Sequence, residues 1–188
     1  MVEIGGGLVV FIFQNELLKV RTLRDSDKHN LVKWLSNPIV LEYYEGRDNP
    51  HDLDKVMENF YVQDDAESRC IIEYEGQEIG YVQFYEVENQ TKIEYGYDEN
   101  EVIYGTDQFI GESTYWNRGI GKLFVAAMIE YLINIMGAHK IIMDPQTWNE
   151  RAIRCYESCG FQKIKLLPKH EIHEGEARDC WLIEYRKK

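Results

Sequence analysis

The sequence is short of basic side chains, with 21 Lys and Arg against 33 Asp and Glu, and it carries only four cysteines in 188 residues. The resulting formal charge of −12 repels nucleic acid and attracts polycations. Cys70, Cys155, Cys159 and Cys180 show neither C-x-x-C spacing nor partner histidines at zinc-site distances, so neither a disulfide framework nor a metal site is implied. A reducing, cytoplasmic setting is the expectation. No window reaches the ~20 apolar residues of a membrane span, and no membrane partner is expected. Internal repeats, low-complexity tracts and Gly/Ser linkers are missing too, which argues for one domain over residues 15–188. The short apolar run from Gly6 to Phe13 follows Glu3 rather than a basic stretch and has no small-residue cleavage site. Residues 1–14 are therefore read as an N-terminal lead and not as a signal peptide.

What is present is a patterned chain. Hydrophobic residues make up 44%, enough for a real core at this length. Leu17 to Leu23 reads as a first strand, and Asp25 is placed to cap a helix running to about Leu35. A second helix is expected from Leu53 to Tyr61, after the turn cluster Gly46 to Pro50. Strands Cys70–Tyr74 and Glu78–Tyr85 flank Glu75-Gly76-Gln77, a connection that makes a hairpin. Beyond a polar stretch from Glu88 to Asn100, the run Val102 to Ile110 alternates as a strand, with Ile103, Gly105, Asp107 and Phe109 on one face. Gly119 to Met136 has the spacing of an amphipathic helix, and Lys140 to Asp144 reads as a strand. Strand, helix, strand is a βαβ unit with parallel strands and a right-handed crossover. A helix from Asn149 to Cys159 stops at Gly160. Final strands, Phe161–Leu167 and Cys180–Arg186, complete a mixed sheet of α+β or α/β class.

Two segments carry chemistry. Trp116-Asn117-Arg118-Gly119-Ile120-Gly121-Lys122 lies between a strand and a helix. Two glycines one residue apart at a helix start let the backbone approach a ligand, and the free N–H groups of the first turn favour a pyrophosphate; tight helix packing is the other use of such glycines. Arg118 and Lys122 add positive charge there. The second segment runs from Asn149 to Phe161, with Asn149, Ala152-Ile153-Arg154, Tyr156 and Gly160-Phe161 in order across a helix start and its end.

Together these segments resemble the acyl-CoA-binding core of the GCN5-related N-acetyltransferases, the GNAT family. The resemblance implies a central mixed sheet with splayed parallel strands that admit a pantetheine arm, flanked by helices. It implies acetyl-CoA (coenzyme A) bound along Phe109, Ile110, Arg118, Gly119, Ile120, Gly121, Lys122, Asn149 and Tyr156, with Tyr156 protonating the departing thiolate. Packing against the core is the alternative use of that tyrosine. The usual family pattern has Gln or Arg three residues before the first glycine; this chain has Trp116, and Arg118 is placed to compensate. Cys155 and Cys159, four apart on one helix face, are accounted for by packing.

A longer series is similar to the aminoglycoside 6′-N-acetyltransferases, including the acetyltransferase half of the bifunctional aminoglycoside-modifying enzymes. It includes Lys33-Trp34-Leu35, Gly46-Arg47-Asp48, Tyr104 to Glu112, Tyr115-Trp116, Asp144-Pro145 and His170 to Gly175, and runs from about Asn15 to Arg186. This implies antibiotic resistance by acetylation of a polycationic aminoglycoside such as kanamycin, with Asp107 at the amine and Asp144 lining the pocket. Strand position agrees, since both aspartates are expected to face the cleft at the C-terminal ends of parallel strands. Glu174, Glu176 and Asp179 are candidates to extend the acidic wall, a solvated turn being the alternative. Acyl transfer requires a neutral amine, an oxyanion stabiliser and a proton for the thiolate. These fall to Asp107, to a backbone N–H between Phe109 and Gly111, and to Tyr156, with Asp107 acting as base or only binding the cation. A polyamine or a protein N-terminus is the alternative acceptor, a non-catalytic CoA-binding domain is a third reading, and monomer and homodimer both remain open.

Overall fold

The computed structural model describes residues 10–62 and 66–187. Its strands are β1 (Phe11–Gln14), β2 (Leu18–Thr22), β3 (Glu67–Tyr74), β4 (Gln77–Glu86), β5 (Ile103–Ile110), β6 (Lys140–Met143), β7 (Gln162–His173) and β8 (Glu176–Arg186). They form one sheet in the order β1-β2-β3-β4-β5-β6-β8-β7. The helices are α1 (Lys28–Leu35), α2 (Pro38–Leu41), α3 (Leu53–Phe60), α4 (Asn89–Tyr95), α5 (Ile120–Asn134) and α6 (Glu150–Ser158). Pairing between described strands is antiparallel except for β5 and β6, which α5 connects. The mixed sheet expected from the βαβ pattern is there.

Each face of the sheet is covered because its strands alternate. One face carries Val20, Cys70, Ile72, Val82, Phe84 and Tyr104 against Ile120, Phe124, Met128 and Leu132 of α5, with α6 alongside through Cys155 and Tyr156. The other carries Ile71, Tyr81 and Phe109 against Leu31, Trp34 and Leu35 of α1, Val40 and Leu41 of α2, and Val56 and Phe60 of α3. Neighbours in sequence, such as Ile71 and Ile72, thus serve opposite cores, the period-2 consequence of the pleat. Burying both faces is what a sheet with a parallel central pair requires.

Three features differ from the sequence reading. Phe11–Gln14 pairs with β2 and Ile12 and Phe13 pack on the core, so the sheet begins inside the stretch read as a lead, whose residues 1–9 lie outside the described residues. The polar stretch 88–100 contains α4, whose buried member is a lysine: Lys92 is 3% exposed and its ammonium lies 3.8 Å from Glu86. Hydrophobic periodicity has nothing to register in such a helix. Finally β7 and β8 extend well past Leu167 and Cys180, meeting at Glu174-Gly175, where both residues have positive φ and His173 pairs with Glu176. The same two-residue turn closes the β3–β4 hairpin at Glu75-Gly76, and such left-handed pairs match the twist of the strands they join.

Candidate active site

The site arises where β5 and β6 part. Their ladder holds for Ile103–Lys140, Tyr104–Ile141 and Gly105–Ile142, and then β5 runs on to Ile110 with only β4 beside it. Successive N–H groups of a strand point to alternate sides, so past Gly105 every second one faces the gap left by β6. Thr106, Asp107 and Gln108 line that gap, and two cavities open from it.

The first cavity, about 430 Å³, is walled by Tyr43, Tyr44 and Glu45 after α2, by Asp107 and Gln108, by Asp144 at the end of β6, and by Glu171 of β7. Among the described residues four carboxylates and no Lys, Arg or His side chain line it, although His170 Nε2 contacts Asp144 Oδ2 at 2.9 Å from outside the lining. The second, about 390 Å³, runs along the starts of α5 and α6 past Gly119, Gly121 and Lys122, with Arg151 and Arg154 opposite and no carboxylate among its described lining residues. The two share Tyr43, Gln108, Asn149, Ala152 and Tyr156. An acidic chamber and a groove lined by basic side chains therefore meet at the splayed strands.

Asp107 stands directly opposite Gln83 in the β4–β5 ladder, and Gln83 Nε2 donates to its Oδ2 at 3.1 Å. Gln83 is itself oriented by the Tyr81 hydroxyl, which donates to its Oε1 at 2.9 Å. Burial pushes the Asp107 carboxyl up to about 6, helped by the charge of Asp144 and opposed by the bonds from Gln83 and Tyr85. Tyr85 reaches Asp107 because Gly105 has no side chain, since a Cβ there would lie 2.6 Å from the Tyr85 ring. Across the gap Gln108 Nε2 donates to the Tyr156 hydroxyl oxygen at 2.8 Å and also contacts Met143 Sδ at 3.0 Å. Because that oxygen accepts, the tyrosine's own proton remains available to a third group. Burial pushes the Tyr156 hydroxyl up to about 12, which keeps it protonated at neutral pH.

Gly119 has φ +78 and opens α5, a conformation that would strain other residues, and it leaves the first-turn N–H groups facing the groove. Asn149 caps α6, its side chain accepting from Ala152 N at 3.3 Å. The residues present thus fit a long ligand with an anionic end and an apolar arm.

The acetyltransferase (GNAT) domain family matches residues 24–168 of this sequence. The chain belongs to the GNAT acetyltransferase family. Among curated relatives, this acetyltransferase is 28% identical over 152 residues to aminoglycoside N(6')-acetyltransferase type 1 of Klebsiella pneumoniae, covering 79% of this chain and 76% of that protein. It is 24% identical over 169 residues to spermidine N(1)-acetyltransferase of Vibrio cholerae, covering 88% and 90%. Its structure is similar, with a TM-score of 0.72 and 25% identity over 91% of this chain and 94% of the other, to that of AAC(6')-Ib in complex with ribostamycin and coenzyme A.

Of the residues singled out in sequence, Asp107, Asp144, Asn149 and Tyr156 line the first cavity of this acetyltransferase, and Phe109, Ile110, Gly119, Gly121, Lys122, Asn149 and Tyr156 line the second. Ile120 is buried in the core, so only its backbone is placed to serve the groove. Arg118 lies over the Tyr115 ring at 5.1 Å rather than in the lining. Glu174, Glu176 and Asp179 line neither cavity. Glu174 is held by Arg47, which donates from Nε at 2.5 Å and Nη2 at 2.7 Å, Glu176 pairs with Arg178 at 2.9 Å, and Asp179 accepts from Lys169 N at 2.8 Å. In the stretch considered for the oxyanion, the Gly111 N–H donates to Ile79 O at 2.8 Å. Glu45, Gln83, Gln108 and Glu171 were not anticipated from the sequence. Gln83 and Gln108 had a signal, being polar side chains beside the apolar residues Val82, Phe84 and Phe109 within strands; Glu45 and Glu171 sit in exposed surroundings and had none. Among the described residues no helix is long and apolar enough to cross a membrane, and no group of three or more His, Cys, Asp or Glu is arranged to hold a metal ion.

Proposed function

We propose that this acetyltransferase carries the acetyl group of acetyl-CoA to a primary amine of a polycationic small molecule, with the 6′-amine of an aminoglycoside as the acceptor. The observation that carries the reading is the four-carboxylate chamber, with no basic side chain among its described lining residues, opening onto Asp107 and Tyr156 beside a positively lined groove. A hydrophilic polyammonium guest is matched by such a wall and poorly served by an apolar one.

The groove is assigned to acetyl-CoA, with the α5 N-terminus and Lys122 at the pyrophosphate and the splayed strands beside the arm. When bound, this group supplies a thioester whose carbonyl the amine attacks. Glu45, Asp144 and Glu171 hold the acceptor's other ammonium groups. Asp107, poised near 6, binds the reacting ammonium and takes its proton, directly or through water; at neutral pH it is ionised yet far more basic than a solvated aspartate. Tyr156 faces the same junction and gives its proton to the leaving thiolate, and Gln108 sets the orientation of its hydroxyl. The N–H groups of β5 that face the gap are the candidates to stabilise the oxyanion, in place of that of Gly111.

A second reading, a linear polyamine as acceptor, is favoured by the same chamber and by the likeness to spermidine N(1)-acetyltransferase over 88% of this chain. One assay separates the possibilities: thiol release from acetyl-CoA with kanamycin, spermidine and a basic peptide in parallel. Turnover with kanamycin at a kcat/KM at least tenfold above spermidine is expected. Preference for spermidine would transfer the assignment to a polyamine, and thiol release with none of the three would end the catalytic reading.

A further inference from the structure

Arg151 sits in the first turn of α6 and does something unusual for an arginine in a chain with 33 acidic residues. Among the described residues no carboxylate lies within ion-pair distance of it. Its guanidinium carbon lies instead 4.0 Å from the centroid of the Trp116 ring and 4.3 Å from that of Tyr43. Those two rings stand edge to face at 5.8 Å, and Tyr43 continues onto Trp148 at 5.3 Å. A planar cation set in the corner of two perpendicular aromatic rings is a directional contact that a flexible ammonium reproduces poorly.

Three separate elements meet there: the turn after α2, which carries Tyr43; the glycine turn, which carries Trp116; and the start of α6. Tyr43 lines both cavities, whereas Arg151 lines the groove alone. The residues that follow Tyr43 are part of the acidic chamber. Tyr44 packs on Phe109 of β5 at 4.6 Å, and Glu45, with φ +69, presents a carboxylate to the cavity. Trp116 is in turn fixed to β5, its indole N–H donating to Ile110 O at 2.7 Å.

We propose that Arg151 is a positioning residue which, packed against both Tyr43 and Trp116, ties the acceptor wall to the acetyl-CoA groove and sets the distance of the Tyr43–Glu45 segment from Asp107 and Tyr156. This rests on the assignment of the two cavities given above. It also gives Trp116, at the position where a Gln or Arg was expected, a function of its own: it supplies the fixed face of the bridge.

The test is Arg151→Gln, assayed with each substrate varied separately on whichever amine the unaltered enzyme acetylates. Loss of a partly desolvated contact with two rings is expected to raise the acceptor KM about tenfold, with the acetyl-CoA KM changed less than twofold. Tyr43→Ala should give the same pattern, and the double variant should be no worse than either alone, because one contact is being removed twice. Tyr43→Phe, which keeps the ring, should raise the acceptor KM less than Tyr43→Ala does, because the ring and not its hydroxyl makes the contact with Arg151. An acetyl-CoA KM that rises while the acceptor KM stays put makes Arg151 a cofactor contact and overturns the proposal; so do additive losses in the double variant. An unaltered enzyme that acetylates no amine overturns both this and the functional reading, whereas an active one whose acceptor KM is indifferent to Arg151→Gln overturns the bridge alone.

Discussion

Replacing Asp107 by Asn separates the cost of the site from its use. In the unfolded chain this carboxyl ionises near 3.8, and in the folded protein near about 6. Between these values the folded state binds more protons than the unfolded one, so the stability contributed by Asp107 is fully present below the lower value and is lost as pH rises through the higher. An upward shift of this size corresponds to at most about 3 kcal/mol against folding at neutral pH, and partial solvent access reduces it to about 1–3 kcal/mol. Asn has the shape of the protonated acid and can still accept from Gln83, so Asp107→Asn should melt about 3–10 °C higher than the unaltered protein at about pH 8. By about pH 3 that difference should vanish, because the carboxyl is then mostly protonated in both the folded and the unfolded chain. Turnover moves in the opposite direction: kcat should drop about 10²- to 10⁴-fold with a much smaller rise in acceptor KM, and the rise of kcat/KM with pH through about 6 should disappear. Melting curves by circular dichroism across pH, paired with thiol-release kinetics, measure both. A variant that is less stable at about pH 8, or a melting difference that does not depend on pH, would refute the argument that burial raises the Asp107 carboxyl. An unchanged kcat would leave the residue as a binder of the ammonium only.

Tyr156→Phe removes the proton donor while keeping the ring that packs on Phe161 at 6.1 Å; CoA affinity by calorimetry should be unchanged and kcat about 10- to 10³-fold lower, and full activity would retire the acid role. Gly105→Ala puts a Cβ 2.6 Å from the Tyr85 ring, so it should destabilise by about 1–3 kcal/mol and lower turnover by displacing Tyr85 from Asp107, read by denaturant melts and kinetics together. Asp144→Asn should raise the acceptor KM several-fold while leaving that of acetyl-CoA alone. Added salt should reproduce the same selective effect in the unaltered enzyme by screening the chamber, and equal sensitivity of both KM values would count against the charge segregation.

The parts of this site legible in the sequence are those whose function and fold require the same residue at the same place. Gly119 and Gly121 stand out because a helix start near a phosphate needs close backbone approach, and Asp107 stands out because it interrupts the apolar alternation of β5. The rest of the acidic wall has no such coupling. Glu45 follows a four-residue helix and Glu171 lies on an edge strand whose buried members are only Leu167 and His173, so neither sits in a periodic pattern that local reading can exploit. Glu171 reaches the chamber because β7 runs on past Leu167 to His173. That length was encoded in Glu174-Gly175, the same pair that closes the β3–β4 hairpin as Glu75-Gly76, but the exposed residues on either side masked it. Glu174 illustrates the limit from the other direction. Its neighbourhood is acidic and close to the site in sequence, yet Arg47 draws it away and holds its carboxyl down at about 2. Charge composition could forecast that this molecule binds a cation; which carboxylates remain free to do so is decided by which arginines reach the others first, and that is a property of the packed fold.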